Sequence, residues 1–347
     1  MLIAITDGEF VEGHFHITWG VTRSCNLRCS YCSAENRKSV PTVNPMEICS
    51  NIVKLRPRWK TLSVLLHGGE PTYRTPFMEI VDALLSAGIS VSTISNFTAP
   101  PRVYQDCVSR GVHFCLSCHA SYLPYYRKKA LAMQPSMNLR FKLCLSKNRQ
   151  EEMLKFYDEL RAAGHLAEIF YVTESTPMDA AKSLLALKTI ENDTTYRKCR
   201  LHYDDGSTKE FYSEELMRFH MNRFYGWRCS AGLYSCYAES DGIVYPCDGM
   251  YIPIGTLLGN EPHIDLGETR CYETRCQHTD QVSYDKTVLG TPFSDLRKYL
   301  ERKEWLEGNR GGTRAHAYKG QSKSEGKDRL GESTKRCVFS YSASSGV

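Results

Sequence analysis

The chain has 347 residues, of which 41% are hydrophobic, with a formal net charge of +5 and 15 cysteines. That length supports one large domain and a smaller one, each with a buried core. No apolar run approaches the ~20 residues of a membrane span, and the N-terminus lacks the charged and apolar regions of a secretory signal, so a soluble, cytoplasmic protein is expected. In that setting a high, odd cysteine count points to metal or redox chemistry sooner than to a disulfide framework.

Short β-rich runs alternate with helical patterns from about residue 14 to about residue 190. Strands are expected over 14–21 (HFHITWGV), 61–68 (TLSVLLHG), 89–96, 113–120, 139–146 and 167–175. Helices are expected over 45–55, 76–87, 101–110 and 150–164, the last closed by Gly164 as a C-cap. This alternation predicts parallel βα units, too few for a full eight-fold barrel. The expected fold class is α/β: an open, partial (β/α)6 TIM-like barrel over 1–195, with its chemistry on loops at the C-terminal ends of the strands.

The pattern changes near residue 196. RLHYDDGSTKEFY and LYSCYAESDGIVYPC each place an Asp-Gly between β-type residues, a strong hairpin signal. A small, hairpin-containing second domain is expected over 196–307. From 308 to 347 Gly, Ser and Lys dominate and periodicity vanishes, so a flexible tail is expected. That tail holds eight Lys/Arg against three acids and carries the whole charge excess. There is no internal repeat.

Cys25, Cys29 and Cys32 follow the first expected strand, in CNLRCSYC, and HGGEPT follows the second. Thiolates at this spacing suit an iron-sulfur cluster or zinc. Three of them leave a four-iron cluster with one iron open to a ligand from outside the protein. A zinc site would need a fourth donor, and His14 and His16 lie within the preceding strand, poorly placed to supply it.

The cysteine triad, Tyr31 just before its last member, and the Gly-Gly-Glu-Pro turn on the next βα loop resemble the radical S-adenosylmethionine (SAM) superfamily. The resemblance implies a 4Fe-4S cluster on Cys25, Cys29 and Cys32, with SAM chelating the fourth iron. It also implies an enzyme that cleaves SAM reductively, so that a 5'-deoxyadenosyl radical abstracts hydrogen from a substrate. Gly68, Gly69 and Glu70 would bind the methionine amino group and Pro71 would fix the turn. Ser95 and Asn96 stand where such enzymes contact the SAM ribose. Ser117 and His119 share a face by period-two alternation, and His119 is read equally as a SAM or substrate contact and as a structural histidine. Arg140 and Lys142 share a face and are read as solvent-facing, with a carboxylate or phosphate partner as the alternative. Glu174 is a weaker candidate. Cys49, Cys107, Cys115, Cys118 and Cys144 lie within regular patterns and are assigned no chemistry.

The run CSAGLYSCYAESDGIVYPCDGM resembles the opening of the SPASM and twitch extensions that hold auxiliary clusters after radical SAM barrels. Cys229 and Cys247 would be the first two ligands. Counting outward from the Asp-Gly turn sets Cys236 opposite Cys247, as a rival ligand or a packed neighbour. Cys271 and Cys276 would complete one auxiliary 4Fe-4S site in a twitch-like domain, with His278 as a substitute donor and zinc as the alternative metal.

Only 24 residues precede Cys25, too few for a leader-binding winged helix, which shifts the expected substrate toward a small molecule, with a peptide retained. Nucleotide or nucleic-acid modification is the runner-up, drawn from the basic tail. A non-catalytic maturation factor is the reading from a different class. A flavodoxin- or ferredoxin-type electron donor is the expected partner, and a membrane is not.

Overall fold

A β-rich run followed by an amphipathic segment long enough to cross back over the sheet makes a parallel strand. The computed structural model describes residues 1–7, 11–29, 32, 43–73, 75–145, 149–171, 198–276 and 284–289. In chain order, β1 (Leu2–Asp7) and β2 (His14–Thr22) precede five helix-strand pairs. These are α1 (Pro45–Leu55) and β3 (Thr61–Gly68), α2 (Phe77–Ser86) and β4 (Ser90–Ser95), α3 (Pro101–Ser109) and β5 (His113–His119), α4 (Leu123–Leu131) and β6 (Leu139–Leu145), and α5 (Gln150–Ala162) and β7 (Leu166–Tyr171). The expected strands and helices lie within two residues of these bounds, except that the sixth strand was drawn beyond Tyr171, and α4 falls where no helix range was assigned. The N-terminus of α1 shows the local logic: Asn44 Oδ1 accepts from Met46 N at 3.0 Å, Pro45 opens the helix, and Glu47 sits in the first turn.

Strands β2 to β7 pair in sequential order, all parallel. Right-handed crossovers that all step the same way put every helix on one face, whereas a doubly wound sheet reverses and covers both. The core follows that rule. Ile48, Ile52, Ile80, Leu84, Tyr104, Tyr126 and Phe156 of the helices join Ile17, Val64, Leu66, Val91, Leu116 and Phe141 of the strands in one buried cluster. Alternate strand residues therefore point to the helix-free face, which is largely polar, with His16, Ser63, Ser117, His119, Lys142 and Glu168 among Leu65, Ile94, Cys115, Cys144 and Phe170.

The rest of the chain is β8 (Lys198–Tyr203), β9 (Thr208–Tyr212), α6 (Ser213–Arg218), β10 (Arg228–Cys229), β11 (Ser235–Ala238), β12 (Ile243–Tyr245), β13 (Gly255–Thr256), β14 (His263–Ile264), β15 (Thr269–Arg270) and β16 (Lys286–Thr287). Sheet membership does not follow chain order. β11 adds parallel to the free edge of β2, pairing Ser235 with His16 and Ala238 with Trp19, and β12 to β14 continue antiparallel from it. The first sheet thus has ten strands, and a second, antiparallel sheet of six runs β15-β10-β16-β1-β8-β9. Its core holds Ile5, Cys199, Leu201, Leu216, Phe224 and Cys271.

Both expected hairpins are present, but the second has a different register. Tyr237 lies opposite Tyr245 and Ala238 opposite Val244, which places Cys236 one residue out of step with Cys247. The cause is the turn: Glu239 N donates to Ile243 O, leaving a three-residue loop in which Gly242 takes φ +80°. A one-residue shift reverses the face. Cys236, 2% exposed, accordingly packs in the helix-side core of the first sheet, while Cys247 packs with Cys229, Ala231 and Tyr284. Among the described residues no helix is long and apolar enough to cross a membrane.

Cys236 is thus a core residue. Cys236→Ala is expected to lower unfolding free energy by about 1 kcal/mol in denaturant titration and to leave iron per chain unchanged; a loss of iron would return Cys236 to the ligand set.

Candidate functional site

The loop after β2 and the turn after β3 are fastened to one another through the backbone. Gly69 N donates to Thr22 O at 2.7 Å and Glu70 N to Ser24 O at 2.9 Å. A Cβ at Gly68, where φ is +134°, would meet Thr22 O at 2.3 Å, and one at Gly69 would meet Ser24 O at 2.2 Å. Both glycines are therefore demanded by the chain's own close approach. Pro71 O accepts from Thr75 Oγ1 within the same turn.

Glu70 is fully buried. Its Oε1 accepts from Thr72 N (3.1 Å), Thr72 Oγ1 (2.6 Å) and Ser95 Oγ (2.8 Å), and its Oε2 accepts from Asn96 N (2.5 Å). Four donors nearly fill the acceptor capacity of a carboxylate. Asn96 in turn donates from Nδ2 to Asn26 Oδ1 at 2.8 Å and reaches Cys25 Sγ at 3.6 Å. Leu27 N also points to Cys25 Sγ (3.4 Å), and Cys32 N donates to Cys29 O (3.0 Å). Cys25 and Cys32 are exposed and Cys29 is partly so. Ser95 and Asn96 thus come together with Glu70 and the cysteine loop, whereas Tyr31, Glu174 and His278 lie outside the described residues.

Sequence reasoning missed the brace behind this network. Phe97 is buried with φ +61°, a costly conformation for a bulky residue. Lys129 holds it there. Its Nζ donates to Phe97 O at 2.7 Å and to Ala99 O, and lies 4.2 Å from the Phe97 ring centroid. Burial pulls the Lys129 pKa down to about 8. Tyr126 adds a bond from its hydroxyl to Asn96 O at 3.0 Å. Both anchors sit on α4, where a buried lysine hides among polar neighbours and leaves no clear periodicity.

Below the cysteine loop, two rows cross the helix-free face. One runs Ser117, Lys142, Glu168 and the next runs His119, Cys144, Phe170. Lys142 Nζ lies 2.9 Å and Arg140 3.6 Å from the Glu168 carboxylate, whose side chain is 5% exposed. The solvent-facing reading of Arg140 and Lys142 is corrected, since the pair is about three-quarters covered and shares a carboxylate partner. Sequence reasoning did not single out Glu168, because it pairs across strands. Burial brings His119 down to about 4, so it is neutral at physiological pH. Burial also pushes Cys144 up to about 12, and the nearby Cys115 and Cys29 add to that. On the other flank of β2, Arg23 pairs with the nearly buried Glu239 at 3.4 Å.

A second group of thiols forms around β10. Cys229 lies opposite Thr269 on β15 and opposite Lys286 on β16. Cys271 is held by its N donating to Trp227 O (2.8 Å). Cys276 is held by Asn222, which accepts from Cys276 N at 2.8 Å and donates from Nδ2 to Cys276 O at 2.7 Å. Cys247 follows β12, its thiol pushed well up by burial, with the charges of Cys229 and Cys276 adding. Burial works against the ammonium of Lys286, yet the charges of Cys229, Cys276, Cys271 and Cys247 outweigh it and hold its pKa above the ordinary value. Cys229 thus lies across from a buried lysine that the sequence did not reveal, with Cys247 packed beside Cys229 and with Cys271 and Cys276 in the neighbouring core of the second sheet. Among the described residues no three His, Cys, Asp or Glu side chains are close enough to share a single metal ion. A four-iron cube, which takes one thiolate at each iron, asks for wider spacing than a lone zinc.

Residues 19–165 match the family model of the radical SAM superfamily. The chain carries a radical SAM domain. Mycofactocin maturase MftC of Mycolicibacterium smegmatis is 32% identical over 80 residues, 23% of this chain and 20% of that protein. The probable GTP 3',8-cyclase of Pyrococcus abyssi is 35% identical over 79 residues, 22% of this chain and 26% of that protein. The chain thus spans only a fifth to a quarter of the length of these curated relatives. Among solved structures, Streptococcus suis SuiB bound to S-adenosylmethionine aligns with a TM-score of 0.47 and 14% identity, over 68% of this chain and 60% of that one. The family implies a 4Fe-4S cluster and SAM. The radical SAM domain here offers soft thiols on a loop whose first sulfur already receives two N–H groups, a donor set that suits such a cluster.

Gly69→Ala is expected to destabilise the domain by about 1–3 kcal/mol, read by denaturant unfolding, because backbone must move to admit the methyl. Glu70→Gln should cost a similar 1–3 kcal/mol, since its amide NH2 would face a donor. An unfolding midpoint unchanged for both would show that the two loops are not joined as described.

Proposed function

We propose that the chain is a radical SAM enzyme that cleaves SAM reductively and takes hydrogen from a polar small molecule or a peptide. The observation that supports it most is the junction of three strand ends, where the backbone of Thr22–Ser24, the Glu70 carboxylate and Asn96 fix the approach to Cys25. In this reading Cys25, Cys29 and Cys32 hold the SAM-binding 4Fe-4S cluster. A bound cluster and SAM supply the carbon-centred radical that removes hydrogen. The chain's part is to orient and to exclude water. Gly68, Gly69 and Pro71 shape the turn beside the methionine moiety, and Glu70 sets the positions of Ser95 and Asn96 for the ribose. Tyr31, Ser117 and His119 complete the set assigned to SAM or substrate, and neutral His119 serves as a hydrogen-bonding group there.

The polar helix-free face supports a substrate with hydrogen-bonding groups, since Lys142, Arg140 and Glu168 would repel an apolar one. A barrel over 1–195, an auxiliary domain over 196–307 and a tail over 308–347 belong to the same reading, with β1 lent to the second sheet and β11 to β14 to the first. Cys229, Cys247, Cys271 and Cys276 hold the auxiliary cluster in this proposal, and a flavodoxin- or ferredoxin-type protein delivers electrons.

Anaerobically reconstituted, dithionite-reduced protein is expected to release 5'-deoxyadenosine from SAM on chromatography, and Cys25→Ala/Cys29→Ala/Cys32→Ala protein to release none. The triple variant should still show a 4Fe-4S Mössbauer signal from the second site. Absence of 5'-deoxyadenosine from cluster-loaded protein would refute the enzyme reading, and absence of iron from the triple variant would refute the auxiliary cluster.

A further inference from the structure

The short ladder between β10 and β15 is pinned at both ends. Gly226 N donates to Cys271 O at 2.7 Å and Cys271 N to Trp227 O at 2.8 Å on one side, and Thr269 Oγ1 donates to Ala231 O at 3.0 Å on the other. Between those ties the register sets Arg228 directly opposite Arg270, and on its far side opposite Thr287 of β16. Directly opposed residues share one face of a sheet with Cβ atoms about 4.5–5.5 Å apart, and like charges so placed repel. Alternation along the strand turns Cys229 to the other face. The face that carries the two arginines opens into a cavity of about 500 Å³, a size that suits a small molecule. Glu268, also on its wall, pairs with Arg228. Arg270 is exposed and, among the described residues, forms no ion pair. Thr287 is fully buried with its hydroxyl engaged, donating to Ile3 O at 3.3 Å and accepting from Leu289 N at 2.9 Å, and Val288 and Leu289 give the cavity an apolar side.

We propose that this cavity binds a small organic oxyanion, a carboxylate or phosphate ester with an apolar body, gripped by Arg270 and steadied by Arg228. A guanidinium presents its N–H groups as a rigid fork that matches two oxygens of either anion. The bound anion removes the repulsion between the opposed cations, and its carbon body lies against Val288 and Leu289. Glu268 holds the second guanidinium in place before the anion arrives, which lowers the ordering cost of binding.

The test follows the whole chain by equilibrium dialysis and thermal unfolding with two probes of one body, phenylacetate and phenyl phosphate, against chloride at equal ionic strength. At least one probe is expected to bind and to raise the unfolding temperature above that in chloride, and the tighter of the two identifies the anion as carboxylate or phosphate. Arg270→Gln is expected to weaken that binding by about tenfold or more, the worth of one charged hydrogen bond. Its unfolding temperature in chloride should equal or exceed the parent's, because a repulsion is gone. Lost binding together with a lower unfolding temperature in chloride would make Arg270 a structural residue and overturn the proposal. Undiminished binding in Arg270→Gln would overturn it as well, since the anion then sits elsewhere, and so would a parent that takes neither probe in preference to chloride.

Discussion

At Gly68 and Gly69 the backbone lies so close to Thr22 O and Ser24 O that a methyl group has no room. That contact makes the cysteine loop and the following turn one unit, and much else depends on it. Once Glu70 is drawn in by its N–H bond to Ser24 O, its carboxylate lies within reach of Ser95 and Asn96 at the end of β4. Asn96 then extends to Cys25. Three neighbouring strand ends are coupled before any cofactor arrives, and the conformational freedom of the loop is reduced in advance of binding. Lys129 and Tyr126 on α4 brace the far side of the same network, so the support for Cys25 reaches well beyond the motif that names it.

The parallel pairing of β11 with β2 gives the second group of thiols a fixed relation to the first. β2 leads into the cysteine loop, and the hairpin built on β11 leads to Cys247, so both begin from adjacent strands of one hydrogen-bonded sheet. β1 makes the reciprocal link. It precedes β2 in the chain yet pairs with β8 and β16 in the other sheet. Because the second sheet takes β1 and the first takes β11 to β14 from the other's stretch of chain, the two parts are woven together through main-chain hydrogen bonds and are not joined by a single connector.

Local chemistry made the βα units legible: alternation and helix patterns located α1 and β3 to the residue, and the motif loops followed from them. What depended on partners far away in the chain could not be read. β1 is buried on both faces, so its apolar run shows no alternation, and its partners lie some two hundred residues on. The register of the β11–β12 hairpin turned on one left-handed glycine, Gly242, which an Asp-Gly pair signals without revealing whether the loop has two residues or three. Glu168 and Lys286 acquire meaning only from cross-strand neighbours. Cys229 and Cys247 pack together and Cys271 and Cys276 pack in the core of the second sheet, an arrangement set by contacts that no spacing encodes.

The character of the helix-free face bears on what the protein handles. Closed barrels of this kind fill their interior with layers of bulky branched side chains, which pack dry and leave no room for a ligand. Here the corresponding positions carry His16, Ser63, Ser117, Lys142 and Glu168, and the Glu168 carboxylate is almost wholly covered between two cations. Burying such groups against hydrocarbon would be costly, and they are retained where water or a polar molecule meets them. The row of Ser117, Lys142 and Glu168 lies next to that of His119, Cys144 and Phe170 along the strands. On the reading proposed above, a hydrogen-bonding substrate would lie on this face, toward the strand ends at which β2 leads into the cysteine loop.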